Sequence, residues 1–265
     1  MYEDLHTAVE AAKDGDTVKL LADVELTKSL VVTKVMTLDL NGKTITADEN
    51  MNDITAIQVL TGGDLIITGN GTVNSASQGN NYSIAVWAKE TGKATIKNGM
   101  FTNVGAKSKS DSGSANNNEM IYVSGNGLIT IEGGTFIGNT ENETWNTRYT
   151  LNAHDASYNA KTANIVVKGG KYTGFNPANN LAEGEGTNFL ADGYKTVYDK
   201  TANTYTVAKF DANNVTCEAE LRHFMANGGT VKLGADIKLE TNNAMALKND
   251  TVLNLNGHTL SVFDG

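Results

Sequence analysis

One short pattern returns at intervals along the 265-residue chain and limits what the chain can fold into. Each copy has an apolar residue, a corner that contains glycine, and a second apolar residue five positions after the first. Successive copies begin 27, 29, 35 and 36 residues apart, the second is one residue longer, and their apolar pairs are Leu40/Ile45, Ile67/Val73, Ile96/Phe101, Ile131/Phe136 and Val167/Tyr172. A single copy cannot bury its apolar side alone, whereas stacked copies can. The pattern therefore predicts a repeat protein with one continuous core.

The composition favours strands over helices for these repeats. The chain has 27 glycines, one proline and 40% hydrophobic residues, which suits short strands joined by tight corners. Further short strands are expected between the corners, at 17–21, 57–60, 84–87 and 120–123. We therefore predict an all-β fold: a solenoid of parallel strands in which loops of uneven length leave a regular core.

A longer duplication indicates a second unit near the C-terminus. The segment 14–46 reappears, with changes, as 227–261, and each copy follows a helix-like segment that ends at glycine. The apolar faces of these two segments consist of Leu5, Val9 and Ala12, and of Leu221, Phe224 and Met225. Because the open end of a coil exposes apolar surface and strand edges, we expect each helix to cap the coil that follows it.

The predicted domains are 1–209 and 210–265. The first is a capped β-helix closed by a hairpin within 191–214, and the second is a cap helix with the start of another coil. So few strands should not be stable alone. We expect the second domain to pack against the first or against a partner chain, or to be a piece of a longer protein.

Three stretches resemble pectate-lyase-like right-handed β-helix modules of gut bacteria and their phages. They are GDTVKLLADVELTKSLVVTKVMTLDLNGKTI at 15–45, GGTFIGN at 133–139 and GGKYTGFNPANNLAEGEGTNFLADGYKTV at 169–197. The resemblance covers nearly all of the chain and implies a right-handed parallel β-helix. It leaves the function open, because such modules occur in virion fibres and decorations, in cell-surface adhesins and in polysaccharide-cleaving enzymes.

Charge and composition argue against several classes of partner. The net charge of −9 disfavours nucleic acid and anionic membrane surfaces, and no apolar run is long enough to insert into a membrane. Cys217 is the one cysteine, so neither an intramolecular disulfide nor a zinc site is expected. The first residues do not read as a signal peptide, which fits a protein that works where it is made or an excised fragment.

Catalysis is the less favoured interpretation. The resemblance implies that a β-helix lyase would need a basic residue beside a calcium-binding carboxylate cluster, yet the arginines are Arg148 and Arg222 and the carboxylate positions have no match. Glycosidases need paired carboxylates. Asp39 is replaced by Asn254 in the duplicated segment, so a required carboxylate at that position is not expected. We predict no enzyme activity, no cofactor and no metal.

The segment 139–158 is the predicted ligand-binding loop. It concentrates Trp145, Arg148, Tyr149 and Tyr158, and exposed aromatic rings can stack on sugars while arginine supplies hydrogen bonds. The alternative is that the same aromatics form a lid over the core. A second polar segment, 105–119, is expected to be a solvent-exposed loop between two strands of the solenoid.

These features favour a non-catalytic protein that presents loops from a rigid β-helix. The first hypothesis is a phage virion component, a capsid decoration, head fibre or tail fibre assembled in the host cytoplasm with other virion proteins or as a homotrimer. The alternative is a bacterial cell-surface adhesin module that binds glycan or host protein, which requires an excised fragment. A polysaccharide lyase or glycosidase ranks third.

Overall fold

The computed structural model describes residues 2–48, 51, 55–76, 83–104, 119–138, 149–240, 244–245, 247 and 250–262. The chain forms two compact units, one of residues 1–191 and 196–208 and the other of 192–195 and 209–265. They are called unit 1 and unit 2 below. The predicted boundary at 209/210 stays a prediction.

Unit 1 begins with helix α1 (Leu5–Ala11). Its strands then follow in sets of three, and each set forms one turn of the solenoid, called a coil below. The first three coils are β1 (Thr17–Lys19), β2 (Val24–Leu26), β3 (Leu30–Val32); β4 (Val35–Asp39), β5 (Thr44–Ala47), β6 (Thr55–Val59); β7 (Asp64–Thr68), β8 (Thr72–Asn74), β9 (Ile84–Ala88). The later coils are β10 (Lys93–Ile96), β11 (Met100–Thr102), β12 (Ile121–Val123); β13 (Leu128–Ile131), β14 (Thr135–Ile137), β15 (Leu151–Ala153); and, after α2 (Asp155–Asn159), β16 (Asn164–Val167), β17 (Lys171–Thr173).

The strands of each coil go to three different sheets. Sheet A has the order β1-β4-β7-β10-β13-β16, and sheet C has the order β15-β12-β9-β6-β3. Sheet B starts with β2-β5-β8-β11-β14-β17 and continues with β19 (Thr204–Lys209), antiparallel to β17, and then with β18 (Tyr194–Asp199). Between successive coils the pairing is parallel throughout these sheets. This is the mostly β, parallel-stranded arrangement of a solenoid, as the repeats predicted.

The repeat residues stack in rows through the core. Phe101 and Phe136 lie in register on β11 and β14 with ring centroids 5.2 Å apart, and Phe136 stacks on Tyr172 at 4.7 Å. All three rings are fully buried, and the Tyr172 hydroxyl donates to the Gly169 carbonyl oxygen at 3.1 Å. The predicted apolar pairs therefore form the core, with one exception described next.

The first member of the first predicted pair is displaced by two residues. Leu38, not Leu40, lies in register with Ile67, so Leu38 and Ile45 are the counterparts of the later pairs. Leu40 is instead a buried residue of the corner, before the left-handed Asn41. The longer corner is stabilised from the coil below, because the Asn41 side chain donates to the Leu20 carbonyl oxygen at 2.7 Å.

Glycine is required where corners of successive coils touch. At Gly92 a Cβ would overlap the carbonyl oxygen of Val59, and at Gly127 it would overlap that of Ala88. Both glycines precede a strand of sheet A and lie against the end of a sheet C strand in the previous coil. Their role is therefore close approach of stacked backbones rather than a special φ angle.

Unit 2 repeats the start of unit 1 in outline: a helix, two strands, and two strands of the next coil that pair with them. It contains α3 (Glu218–Asn227), β20 (Gly229–Lys232), β21 (Ile237–Lys238), β22 (Thr251–Asn254) and β23 (Leu260–Ser261), with β20 parallel to β22 and β21 parallel to β23. The Asn256 side chain donates to the Leu233 carbonyl oxygen at 3.0 Å, as Asn41 does to Leu20. The duplication thus extends to individual hydrogen bonds.

Both predicted helices are present, but their ends differ from each other. α3 ends at Asn227 and is capped by Gly228, whose φ is 81°, as expected of a glycine stop. α1 ends at Ala11 with Ala12 as its cap, so the predicted stop at glycine is wrong there. The turn after α1 is held by carboxylates instead: Asp16 accepts from the N–H of Lys13 at 2.8 Å.

Candidate functional site

The outer face of sheet C carries a row of amide and aromatic side chains. Gln58, Trp87, Tyr122 and Asn152 lie in register on β6, β9, β12 and β15. The residues on either side of each are buried, and alternation along a strand places the row on the opposite face from the core. Gln58, Trp87 and Tyr122 are half-buried, whereas Asn152 is covered and only 8% exposed. We call these four residues the outer strip.

The two aromatic rings of the outer strip form a fixed pair. The ring centroids of Trp87 and Tyr122 are 5.4 Å apart, with the planes tilted by 55°. The Trp87 indole N–H donates to the Ser124 hydroxyl at 2.9 Å, and the Lys89 ammonium lies 4.5 Å from the indole centroid. Both rings are half-buried. The hydrogen bond to Ser124, the Lys89 ammonium over the ring and the neighbouring Tyr122 ring together hold the indole in one orientation.

A buried carboxyl group adjoins the amide end of the strip. Glu119 is only 5% exposed, and its Oε1 accepts a hydrogen bond from the Asn152 side-chain amide at 3.3 Å. Its Oε2 is buried and finds no hydrogen-bond partner. Burial raises the pKa of Glu119 to about 8, the nearby charge of Glu183 adds to this, and the hydrogen bond from Asn152 opposes it. At neutral pH the group is therefore mainly a neutral acid, able both to donate and to accept.

A second carboxyl group pairs with the backbone of β15, the last strand of sheet C. Glu183 Oε1 accepts from the backbone N–H of Ala153, in β15, at 2.6 Å. Burial raises the pKa of Glu183 to about 7, and the charge of Asp155 adds to the effect, while the hydrogen bond from Ala153 opposes it. Glu119 and Glu183, called the carboxyl pair below, lie where the outer strip meets the end of sheet C.

The residues predicted to bind a ligand fall partly outside the described part of the chain. Trp145 and Arg148 lie outside it. Tyr149 is half-buried at the entry to β15, where its carbonyl oxygen accepts from the N–H of Met120 at 3.3 Å. Tyr158 is half-buried in α2, after β15. The predicted binding loop stays a prediction, and its two described tyrosines flank the strand that carries Asn152.

Sequence reasoning missed the outer strip and the carboxyl pair. The sequence predicts strands at 84–87 and 120–123. If these two strands are placed side by side as neighbours in one sheet, the outward-facing residues Trp87 and Tyr122 align. The polar composition of 105–119 predicts a solvated segment that includes Glu119. Its burial comes from tertiary packing, for which the local sequence gives no signal.

Other polar clusters of unit 1 have structural partners. A groove of about 390 Å³ lies between α1 and the first coil, with several acidic residues in its walls. Asp4 accepts from the N–H of Thr7 as the N-cap of α1, and Asp23 accepts from the N–H of Thr44, each at 2.8 Å. These carboxylates hold helix and coil backbone, so the groove is a less favoured ligand site than the outer strip.

The buried charge of unit 2 is likewise structural. The Glu220 side chain is fully buried, and its Oε1 lies 2.8 Å from the Lys195 ammonium. Its Oε2 accepts from the N–H and the hydroxyl of Thr216, at 2.7 and 2.8 Å. Burial alone would raise the pKa of Glu220, but Lys195 and Thr216 outweigh it and hold the pKa below its ordinary value.

Metal-site and membrane features are not found among the described residues. No group of three or more His, Cys, Asp or Glu side chains in that part of the chain is arranged to hold a metal ion. The helices described there are too short or too polar to cross a bilayer. In comparisons with known proteins, no family model, no curated protein and no solved structure matches the chain. The resemblance to pectate-lyase-like modules therefore stays an expectation.

Proposed function

We propose that this chain is a non-catalytic display protein, a right-handed parallel β-helix capped by α1 that carries recognition surfaces on a rigid scaffold. The observation that carries the proposal is the stacking of unit 1, in which the parallel strands of three sheets keep one register from coil to coil. Stacked coils bury each other's apolar rows, and this gives a stiff body whose loops vary without disturbing the core. Rigid presentation is the property that such an architecture supplies best.

The first candidate is a phage virion component, a capsid decoration, head fibre or tail fibre. Some apolar residues of unit 2 are exposed although the matching ones in unit 1 are covered. Leu255 is 44% exposed, whereas its counterpart Leu40 is fully buried beneath the following coil. A neighbouring virion protein or another copy of this chain, in a homotrimer for example, would cover such residues on assembly in the host cytoplasm.

The second candidate is a module of a bacterial cell-surface adhesin that binds a glycan or a host protein. The outer strip favours it, because a fixed aromatic pair next to an amide and a buried carboxyl suits recognition of a ligand. A polysaccharide lyase or glycosidase remains the third and least favoured candidate.

Quantitative mass spectrometry of purified phage particles and of the cell-envelope fraction tests these candidates. Peptides from 164–195 at a stoichiometric level in particles are expected for the virion protein. The same peptides found only in the envelope, within a longer chain, would overturn that candidate in favour of the adhesin. Release of reducing or unsaturated ends from a polysaccharide by the purified chain would overturn the non-catalytic proposal.

A further inference from the structure

We propose that the outer strip, together with Glu119, binds an uncharged glycan that lies across the strands of sheet C, with a sugar ring against the Trp87–Tyr122 pair and hydroxyl groups on Asn152 and Glu119. This goes beyond the display role, since it names the surface and the class of ligand. It applies equally to a protein of the virion and to one of the cell surface.

The spacing of the strip suits a linear chain of sugars. Trp87, Tyr122 and Asn152 lie on three adjacent strands, β9, β12 and β15, in direct register. Adjacent strands are about 4.8 Å apart, so the three side chains repeat at that interval. The interval is similar to the length of one pyranose in an extended glycan, so β9 and β12 can each meet one sugar. The Asn152 amide, only 8% exposed, lies at the end of that row, where a hydroxyl group would reach it.

The aromatic pair is preorganised for binding, because the orientation of the Trp87 ring is fixed without a ligand. The hydrogen bond to Ser124 and the ammonium of Lys89 fix the Trp87 indole, and Tyr122 packs beside it. Pyranose rings present apolar C–H faces that stack on such rings. Because the indole is already ordered, little side-chain entropy is lost on binding.

The carboxyl of Glu119 supplies the second, independent observation. Its Oε2 is buried without a hydrogen-bond partner, and a buried polar atom in that state costs free energy until a ligand or water satisfies it. Asn152 joins this carboxyl to the strip through its side-chain amide. A sugar hydroxyl, which both donates and accepts, matches a carboxyl and an amide side by side.

The surrounding charge selects a neutral ligand. The charge of Asp155 lies close enough to Glu183, and that of Glu183 to Glu119, to raise the pKa of the neighbouring carboxyl, so an anionic sugar would meet the negative charge of Asp155 and of ionised Glu183. The Lys89 ammonium is already placed over the indole. The chain as a whole carries −9, which adds to the repulsion of anionic polysaccharides.

The test is isothermal titration calorimetry of the full chain with maltoheptaose, cellohexaose and mannohexaose, and with an oligogalacturonate as the charged counterpart. At least one neutral probe is expected to bind, and the oligogalacturonate is not. Trp87→Ala and Asn152→Ala should each weaken binding about tenfold or more. Trp87→Phe keeps an aromatic ring and should retain most of the affinity, which separates loss of stacking from loss of folding.

Tyr198→Ala is the matched control. Tyr198 stacks on Tyr205 at 4.5 Å in sheet B, an aromatic pair that is remote in topology from the outer strip, and its removal should leave binding unchanged. The inference is overturned if no neutral probe binds, if Trp87→Ala binds like the wild type, or if the charged probe binds as well as the neutral ones. Particle mass spectrometry decides the virion role separately, so failure of one proposal is distinguishable from failure of the other.

Discussion

The substitution Glu119→Gln should remove a large part of the pH dependence of unit 1 stability. Burial raises the pKa of Glu119 from its ordinary value near 4.5 to about 8, so the folded protein holds a proton that the unfolded chain releases. Between these two values the folded state binds more protons, and stability falls as pH rises. The fall begins near pH 4.5, where the unfolded carboxyl ionises, and ends near pH 8, where the folded one does.

The size of the effect follows from the same two pKa values. Their difference, at about 1.4 kcal/mol for each pH unit, sets an upper bound of about 5 kcal/mol lost between pH 4.5 and pH 8. Glu183, whose pKa burial raises to about 7, adds a smaller loss in the same direction because it is only partly buried. Glutamine at 119 keeps an oxygen that can accept from Asn152 but has no proton to lose.

The free energy of unfolding of unit 1 can be measured by urea unfolding at about pH 5, 6.5 and 8.5. Tryptophan fluorescence reports on this unit because both tryptophans lie within its sequence. We expect Glu119→Gln to gain stability relative to the wild type as the pH rises. Glu90→Gln is the control, since Glu90 is an exposed carboxylate that accepts from the Thr61 hydroxyl at 2.7 Å, and it should leave the pH slope of the wild type in place. Parallel slopes for Glu119→Gln and the wild type would refute the assignment of a buried neutral acid.

Three further substitutions test the packing. Ile131→Asp places an unpaired charge in the fully buried core and should prevent unit 1 from folding, which circular dichroism would show; a normal melting curve would contradict the stacked core. Gly92→Ala should lower the melting temperature clearly, because a Cβ there would overlap the Val59 carbonyl oxygen although its φ suits any residue, and an unchanged melting temperature would refute the close approach of coils. Lys195→Met leaves the Glu220 charge buried without its cation and should destabilise unit 2 by about 3 kcal/mol, at the lower end of the usual range because Lys195 is partly exposed. Hydrogen exchange in α3 would report this loss, and unchanged protection there would contradict it.

The repeating core could be predicted from the sequence because its signal is local. An apolar residue, a glycine corner and a second apolar residue are close in the chain, and Ile96/Phe101 and Ile131/Phe136 are buried in register as expected. The displacement at Leu40 shows the limit of this reasoning. Its corner is longer, and the choice between Leu38 and Leu40 depends on pairing with β7, which lies in the next coil.

The candidate site could not be predicted in the same way, because it is assembled across coils. Trp87, Tyr122 and Asn152 are separated along the chain by segments of uneven length, and only strand pairing aligns them. The burial of Glu119 depends on packing beyond its own segment, so its composition indicated a solvated loop. A concentration of aromatic residues around Trp145 drew attention to 139–158 instead, and that prediction is still to be tested.

Both functional proposals depend on the register of the stacked coils, and disulfide trapping measures that register most directly. Thr95 and Thr130 are paired neighbours on β10 and β13, which places their Cα atoms about 4.8 Å apart, within the range that a disulfide spans. In a Cys217→Ser background, Thr95→Cys with Thr130→Cys should form a disulfide under mild oxidation. Ile66→Cys with Thr130→Cys should not, because Ile66 pairs with Thr95 and so lies one coil farther away, at about 10 Å. Cross-linking of the second pair and not of the first would contradict the stacked, in-register solenoid.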